Sequence, residues 1–150
     1  MLHLIAATRP ALAEDLEAIS QLLADLKLPT AGVEEWWPQF TVAEASGEIV
    51  GVAGLERYAD GVLLRSVAVH PSWRGSDLGR TLIEIALRAA QRAGSQDVYL
   101  LTTTAEGYFP RLGFSVIPRA QVPATVQQSV EFREACPASA VAMHRRLADF

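Results

Sequence analysis

The stretch VLLRSVAVHPSWRGSDLGR, residues 62–80, decides how this chain folds. Residues 62–69 are valine, leucine and alanine interrupted only by Arg65 and Ser66, the composition of a central, buried strand. His70-Pro71 stops that strand. A short loop, Trp73-Arg74-Gly75-Ser76-Asp77, then opens a helix at Leu78 that runs to about Ala93. Its expected core face is Leu78, Leu82, Ile85, Ala86, Ala89 and Ala93 at helical spacing, and Gly94 closes it as a C-terminal cap. A strand that feeds a helix N-terminus through a glycine-bearing loop leaves backbone N–H groups open at the start of the helix. Those donors, with the helix dipole, bind anions and phosphates above all. Arg74 and Arg80 bracket the loop and can pair with phosphate oxygens. The loop lacks the Gly-Lys-Ser/Thr of a nucleotide-triphosphate loop and the Gly-x-Gly-x-x-Gly of dinucleotide folds. Alone, such a loop is equally an ordinary connection.

Working outward, residues 2–7 read as a first strand, and Thr8-Arg9-Pro10 opens a helix, since proline is tolerated in the first turn. Leu12, Leu16, Ile19, Leu23 and Leu26 form its apolar stripe. Residues 30–37 read as a short helix or a loop. Residues 40–45 and 48–57 form a hairpin about Ser46-Gly47, and Asp60-Gly61 turns the chain into the central strand. Beyond the long helix come a strand at 98–103, a short helix at 105–112, a strand at 114–117, a weakly helical stretch at 123–134 and a last strand at 139–147. This order predicts an α/β (α+β mixed sheet) layer fold.

Composition bounds the function. The chain has 150 residues, 50% hydrophobic and 20% charged, with net charge −4, which suits one domain with one sizeable core and excludes disorder as the main state. No run is long and apolar enough for a membrane span, and no secretory leader is evident, so a cytoplasmic location is expected, with no membrane partner. Only Lys27 among the basic residues is a lysine, and no basic patch with interleaved aromatics points to nucleic acid. His3, His70 and His144 are scattered without metal-ligand spacing, so no metal is expected. Cys136 is the sole cysteine; it excludes an internal disulfide and reads as packing or pocket lining far ahead of metalloid ligation. Charge is uneven, −7 over residues 1–60 and +3 over residues 61–150. That suits a cationic substrate and an anionic cofactor, or simply two solvated surfaces.

The run from Leu64 to Leu82 resembles the acetyl-CoA-binding motif of the GNAT N-acetyltransferases, Gln/Arg-x-x-Gly-x-Gly/Ala. Glu106-Gly107-Tyr108-Phe109-Pro110-Arg111-Leu112-Gly113-Phe114 resembles that family's second landmark, an aromatic pair before Leu-Gly-Phe. Thr8-Arg9-Pro10-Ala11 with Asp15 resembles its first strand–helix junction. The runs LLRSVAV, YLLTTTA and EFREACPASA (residues 131–140) are similar to the arsenic-resistance N-acetyltransferases of the family. The resemblance implies a single GNAT-like domain over residues 1–150. Its central mixed sheet would have about seven strands, flanked by helices and splayed between the fourth and fifth strands. It implies transfer of an acetyl group from acetyl-CoA to the amine of a small molecule, amino-acid-like or arsenic-containing, by direct attack on the thioester. Val67, Ala68 and Val69 would pair with the pantetheine arm. Backbone groups of Arg74, Gly75, Ser76, Asp77, Leu78, Gly79 and Arg80 would hold the pyrophosphate. Thr103 and Phe109 complete the cofactor contacts.

Two departures stand out. Asp77 occupies the motif's first glycine position, where a carboxylate repels a pyrophosphate; it also suits a helix N-cap. Phe109 stands where many family members carry a tyrosine that protonates the leaving thiolate. Tyr108 is then either that acid or a packed aromatic with its hydroxyl at the surface. Glu56 is the candidate base, or an ordinary strand-end carboxylate. Arg65, in so apolar a strand, must bind either a substrate carboxylate or Glu56. Ser66 and Thr102 are further substrate candidates. Trp36, with Trp37, forms a pocket wall, core packing or a dimer contact; the tail strand also offers a homodimer edge. A non-catalytic acyl-CoA-binding module is the alternative that Asp77 and Phe109 motivate, and a peptide acetyltransferase is a third reading.

Overall fold

In the computed structural model, residues 5–135 and 137–147 are described. In chain order the elements are β1 (Ala7–Pro10), α1 (Leu16–Asp25), α2 (Val33–Trp36), β2 (Phe40–Ala45), β3 (Glu48–Tyr58), β4 (Gly61–Val69), α3 (Leu78–Arg92), β5 (Asp97–Thr102), β6 (Ser115–Ile117), α4 (Ala124–Gln127) and β7 (Val141–Arg146). The strands make one seven-stranded mixed sheet in the order β1-β2-β3-β4-β5-β7-β6. Its one parallel pair among the registers given is β4 with β5; β1–β2, β2–β3, β5–β7 and β6–β7 are antiparallel. This is the expected α/β architecture. β4 and β5 pair in parallel at Val62↔Val98 and Leu63↔Tyr99. Among the described residues no helix is long and apolar enough to cross a membrane.

The domain divides into two units, Met1–Gly54 with Ser66–Ala86, and Leu55–Arg65 with Leu87–Phe150. In the first, Ile19, Leu22 and Leu23 of α1 pack with Val33, Phe40, Val42, Val52 and Ala68, and Trp36 and Trp37 lie against this core. Trp36 is therefore a packing residue on one side. Two glycines make the close packing possible. Phe40 and Gly54 are cross-strand partners, and a Cβ at Gly54 would lie 2.2 Å from the Phe40 ring. At Gly51 a Cβ would meet Leu82 at 2.8 Å and Leu78 at 3.3 Å, so the first turn of α3 sits directly on β3. Arg9 grips Asp15 with two hydrogen bonds, 2.7 and 3.0 Å, and reaches Glu44 at 3.2 Å. The Asp15 carboxylate also accepts the Leu12 N–H at 2.7 Å. The Arg9 hydrogen bonds hold the Asp15 carboxyl below its usual range, against the opposing effect of burial.

In the second unit, Leu63, Tyr99, Val122, Val126 and Ala142 form the core, with Tyr58, Leu101, Ile117 and Phe132 against it. After α4 the chain makes a π-helical turn over Glu131–Ala135. Arg119 fastens this segment. Its guanidinium donates to the carbonyls of Phe132 at 3.5 Å, Pro137 at 3.3 Å, Ala138 at 3.2 Å and Ala140 at 3.4 Å, and it lies 5.5 Å from the Phe132 ring centroid.

Several boundaries differ from the sequence expectation. Of the strand expected at residues 2–7, residues 2–4 lie outside the described residues; a strand runs over Ala7–Pro10, where Thr8–Pro10 pair with β2 rather than opening a helix, and proline is tolerated there because β1 is the sheet edge. Leu12 is exposed at 46% rather than part of the helix stripe. The core face of α3 is rotated: Leu82, Ile83, Ala86, Leu87 and Ala90 are buried, while Ile85 and Ala89 are half-buried and Ala93 is exposed. The helix expected at 105–112 is only a 3-10 turn at Phe109–Leu112, ended by Gly113 at φ +88°. His3 and Cys136 lie outside the described residues.

Candidate functional site

The loop that follows β4 is built from the strand outward. Ser66, inside β4, has φ +55°, a left-handed value uncommon for a residue other than glycine. Beyond it, Ala68 is buried at 4% in the first unit's core, while Val67 and Val69 are half-buried. The His70 N–H donates to the Val50 carbonyl at 2.8 Å, tying the strand end to β3. Pro71–Trp73 then forms a 3-10 turn in which the His70 ring accepts from the Ser72 N–H. The Arg74 and Ser76 N–H groups turn back to the Pro71 and Trp73 carbonyls, both at 3.3 Å. Gly75 and Asp77 both take left-handed conformations, φ +82° and +62°.

The Asp77 conformation resolves how a carboxylate residue stands in a glycine position. Aspartate is among the few residues that enter the left-handed region readily. It stands at the N-cap position, directly before Leu78. Asp77 is exposed, and what it contributes to the helix is its carbonyl, which accepts from Thr81 N–H at 3.0 Å. No hydrogen bond from the described residues reaches its carboxylate. The N–H groups of Leu78, Gly79 and Arg80 lie in the first turn of α3, the end of a helix where intrahelical acceptors are lacking. A Cβ at Gly75 would meet nothing within 4 Å, so a ligand can approach that backbone closely. Arg74 is exposed, and no carboxylate among the described residues pairs with it. Arg80 is half engaged, donating to Glu84 at 3.1 Å. Donors, an available cation and open backbone together fit a pyrophosphate.

In the second unit the structure brings together Glu56, Tyr58, Arg65 and Glu131. Arg65 Nη1 donates to Glu56 Oε2 at 2.6 Å, the Tyr58 hydroxyl donates to Glu56 Oε1, and Arg65 Nε lies 3.5 Å from Glu131 Oε2. Exposure is 0% for Glu56, 2% for Arg65 and 4% for Glu131. Of the two expected partners for Arg65, the structure shows Glu56. Glu56, the candidate base, is wholly buried and both its carboxylate oxygens are engaged, so it is not an ordinary solvated strand-end carboxylate. Glu131 was not singled out by sequence reading; an acidic residue in a weakly periodic, semi-helical tail carries no burial signal.

The remaining expected residues are scattered. Tyr108 is 38% exposed and stacks edge-on against Phe109, ring centroids 5.5 Å apart. Phe109 is buried at 7% and stacks in turn on Phe114 at 5.6 Å. Phe109 is thus a packing residue at the head of its 3-10 turn. The Thr102 hydroxyl accepts from Ala105 N–H at 3.0 Å, closing the turn after β5, and Thr103 is exposed in that turn.

Comparison with known proteins agrees with this geometry. The family model described as "Acetyltransferase (GNAT) domain" matches residues 36–116, more than half of the chain. An amino-acid acetyltransferase of Pasteurella multocida is 29% identical over 126 residues, covering 83% of this chain and 29% of that protein. This chain therefore spans less than a third of that relative. Among solved structures, N-acetylglutamate synthase from Neisseria gonorrhoeae, complexed with coenzyme A and N-acetyl-glutamate, superposes with TM-score 0.82 at 21% identity, over 97% of this chain and 36% of that one. Rv2747 from Mycobacterium tuberculosis, in complex with CoA and NLQ, superposes with TM-score 0.75 at 25% identity, over 93% and 98%. The fold, the order of its landmarks and the family match converge: the chain belongs to the acetyltransferase (GNAT) domain family.

Proposed function

We propose that this chain is an acetyl-CoA-dependent N-acetyltransferase whose acceptor is the amine of an amino acid or an amino-acid-like small molecule. The observation that carries the reading is the loop at the start of α3, where the backbone N–H groups of the helix N-terminus and of the unobstructed Gly75 stand beside an exposed Arg74. Gly75, Asp77, Leu78, Gly79 and Arg80 would hold the pyrophosphate through those groups, and Arg74 would pair with phosphate oxygens. Val67 and Val69, at the end of β4, would offer backbone groups to the pantetheine arm as an added strand does. The amine nitrogen attacks the acetyl carbonyl carbon, the carbon–sulfur bond breaks, an amide forms, and the proton lost by nitrogen balances the one gained by the thiolate. Phe109 cannot supply that proton. A thiol's ordinary pKa near 8.5 lets the thiolate leave without a dedicated acid. Catalysis then rests chiefly on positioning and on excluding water.

The amino-acid class is supported by relatives that are amino-acid acetyltransferases and by the buried Arg65, a residue suited to carboxylate recognition. The resemblance of the tail to arsenic-resistance enzymes adds amino-acid-like arsenicals as the finer acceptor class. The test is calorimetry with acetyl-CoA on the wild type and on Asp77→Gly, followed by thiol release over a panel of amino acids, matched amines without a carboxylate, peptides and an amino-acid-like arsenical. Micromolar binding with turnover of free amino acids is expected. Binding without turnover of any amine identifies an acyl-CoA-binding module instead. Turnover of peptides alone identifies a peptide acetyltransferase. Binding by neither protein overturns the cofactor assignment.

A further inference from the structure

The second unit also carries a cleft of about 430 Å³, lined by residues 58–61 at the β3–β4 turn and residues 93–97 between α3 and β5. That is room for a small molecule, within the roughly 300–1,000 Å³ of ordinary ligand sites. Its charge has one sign. Asp60 and Asp97 both line it, and none of its lining residues is basic. The C-terminal end of α3 opens onto it at Ala93 and Gly94, and that end of a helix carries partial negative charge. Each carboxylate has one oxygen engaged. Asp60 Oδ2 accepts the Thr125 hydroxyl at 3.0 Å, and Asp97 Oδ1 meets the His144 ring at 2.7 Å. The other oxygen of each has no hydrogen bond among the described residues.

Tyr99 is a second, independent sign of a ligand. It is only 8% exposed, yet its hydroxyl makes no hydrogen bond among the described residues, whereas a buried phenol usually has a partner. The ring presses on Gly61 of the cleft lining: a Cβ there would lie 2.9 Å from Cε2, a ring carbon next to the one that bears the hydroxyl, and 3.3 Å from Cδ2. The hydroxyl end of the ring is thus the end nearer the β3–β4 turn. Stacking on His144, with centroids 4.9 Å apart, holds the ring there. Burial, and after it the Asp97 and Asp60 carboxylates, raise the phenol above its ordinary pKa, so its oxygen stays neutral and able to accept.

We infer that this cleft is a binding site for a small organic cation, whose guanidinium or primary ammonium group is held by Asp60, Asp97 and the Tyr99 hydroxyl. The cation donates to the second oxygen of each carboxylate and to the phenol oxygen, contacts strengthened by its charge. A metal ion suits the cleft less well, since no group of three His, Cys, Asp or Glu residues able to hold one occurs among the described residues. An organic cation brings its own N–H donors and needs no such shell. Anions are repelled by the same two carboxylates. Asp60, Asp97 and Tyr99 belong neither to the cofactor loop nor to the Arg65 cluster, so the inference stands whichever acceptor the enzyme uses.

The test titrates methylguanidine and butylammonium into the full chain without acetyl-CoA, with backbone amide NMR and calorimetry as readouts and acetate as the anionic control. Saturable binding of at least one cation is expected, with resonance shifts centred on residues 58–61 and 93–99 and none there from acetate. Binding of methylguanidine alone identifies the guanidinium group, and of butylammonium alone the ammonium group. Asp60→Asn and Asp97→Asn each weaken that binding roughly tenfold, the scale of one charge-assisted contact, and Tyr99→Phe weakens it several-fold. Asp60 is exposed and phenylalanine keeps the Tyr99 packing, so these two variants should melt as the wild type does. No saturable binding of either cation overturns the inference. So do shifts that fall only outside the cleft, as binding at the acceptor site would give, or an affinity that survives the Asp60→Asn, Asp97→Asn double variant. If the double variant does not fold, Asp60→Asn and Tyr99→Phe decide, and unchanged affinity in both overturns the inference.

Discussion

Gly54→Ala probes how tightly the first unit is built. The added methyl would lie 2.2 Å from one Phe40 ring carbon and 2.5 Å from two others, well inside the roughly 3.5–4.0 Å of a favourable carbon–carbon contact. The ring cannot step aside freely, because Phe40 is 2% exposed and packed among Val42, Val52 and α1. Forcing an extra carbon into a filled core costs about 1–3 kcal/mol, and full expulsion of the ring forfeits about 3 kcal/mol of apolar burial. At this chain length that lowers the melting temperature by roughly 3–10 °C. Urea unfolding of Gly54→Ala, Phe40→Leu and the double variant measures it. Leucine removes the ring atoms that the new methyl meets, so the double variant should exceed the sum of the singles by about 1 kcal/mol or more. Additive losses, or a Gly54→Ala variant as stable as the wild type, would refute the contact as the reason for glycine.

Other expectations follow from the charges and rings described. Asp15 has its carboxyl held below the ordinary value of 3.8, so the Arg9 pair contributes stability above that pH and loses it as pH falls through the lowered value. Asp15→Asn should be less stable than the wild type by about 1–2 kcal/mol at pH 7, and urea titrations should show the gap closing in acid. Arg74→Ala should weaken acetyl-CoA binding several-fold at low salt and progressively less as salt rises, with an unchanged melting temperature; a salt-independent loss would contradict a phosphate contact. Tyr108→Phe should leave kcat within about twofold, whereas a drop of roughly a hundredfold would mark its hydroxyl as the general acid.

The sheet was legible where periodicity and turn residues agreed. β2 was expected at its observed bounds, and β3, β4 and α3 within one or two residues, because Ser46-Gly47, Asp60-Gly61, His70-Pro71 and Gly94 mark their ends. Legibility failed where tertiary placement overrode local preference. Pro10 reads as a helix opener but ends an edge strand, whose outer N–H needs no partner. The tail from Pro123 has helix-forming residues, yet it breaks into α4 and a π-turn, with Ser129 N–H turning back to the Val126 carbonyl and Arg133 Nε taking the Gln128 carbonyl. In the site, the Arg65–Glu56 pair was one of two readings that burial cost made available. Glu131 was invisible, since its burial depends on a fold-back of the tail across many residues. The left-handed backbones of Ser66 and Asp77 were equally hidden, because neither residue is a glycine.

Ser66 has a consequence for how β4 tolerates change in length. Side chains on a strand alternate between faces with a period of two, and one left-handed residue of the kind found in bulges resets that count. The chain after Ser66 therefore runs half a repeat out of phase with the chain before it. Ala68 owes its place in the core to that reset. Deleting position 66 would leave residues 67–69 on the faces they now occupy, whereas keeping a residue there in extended conformation would rotate them onto opposite faces, setting a valine where the core now admits an alanine. Position 66 thus acts as a phase marker for the strand, and its left-handed backbone matters more to the fold than the hydroxyl it carries.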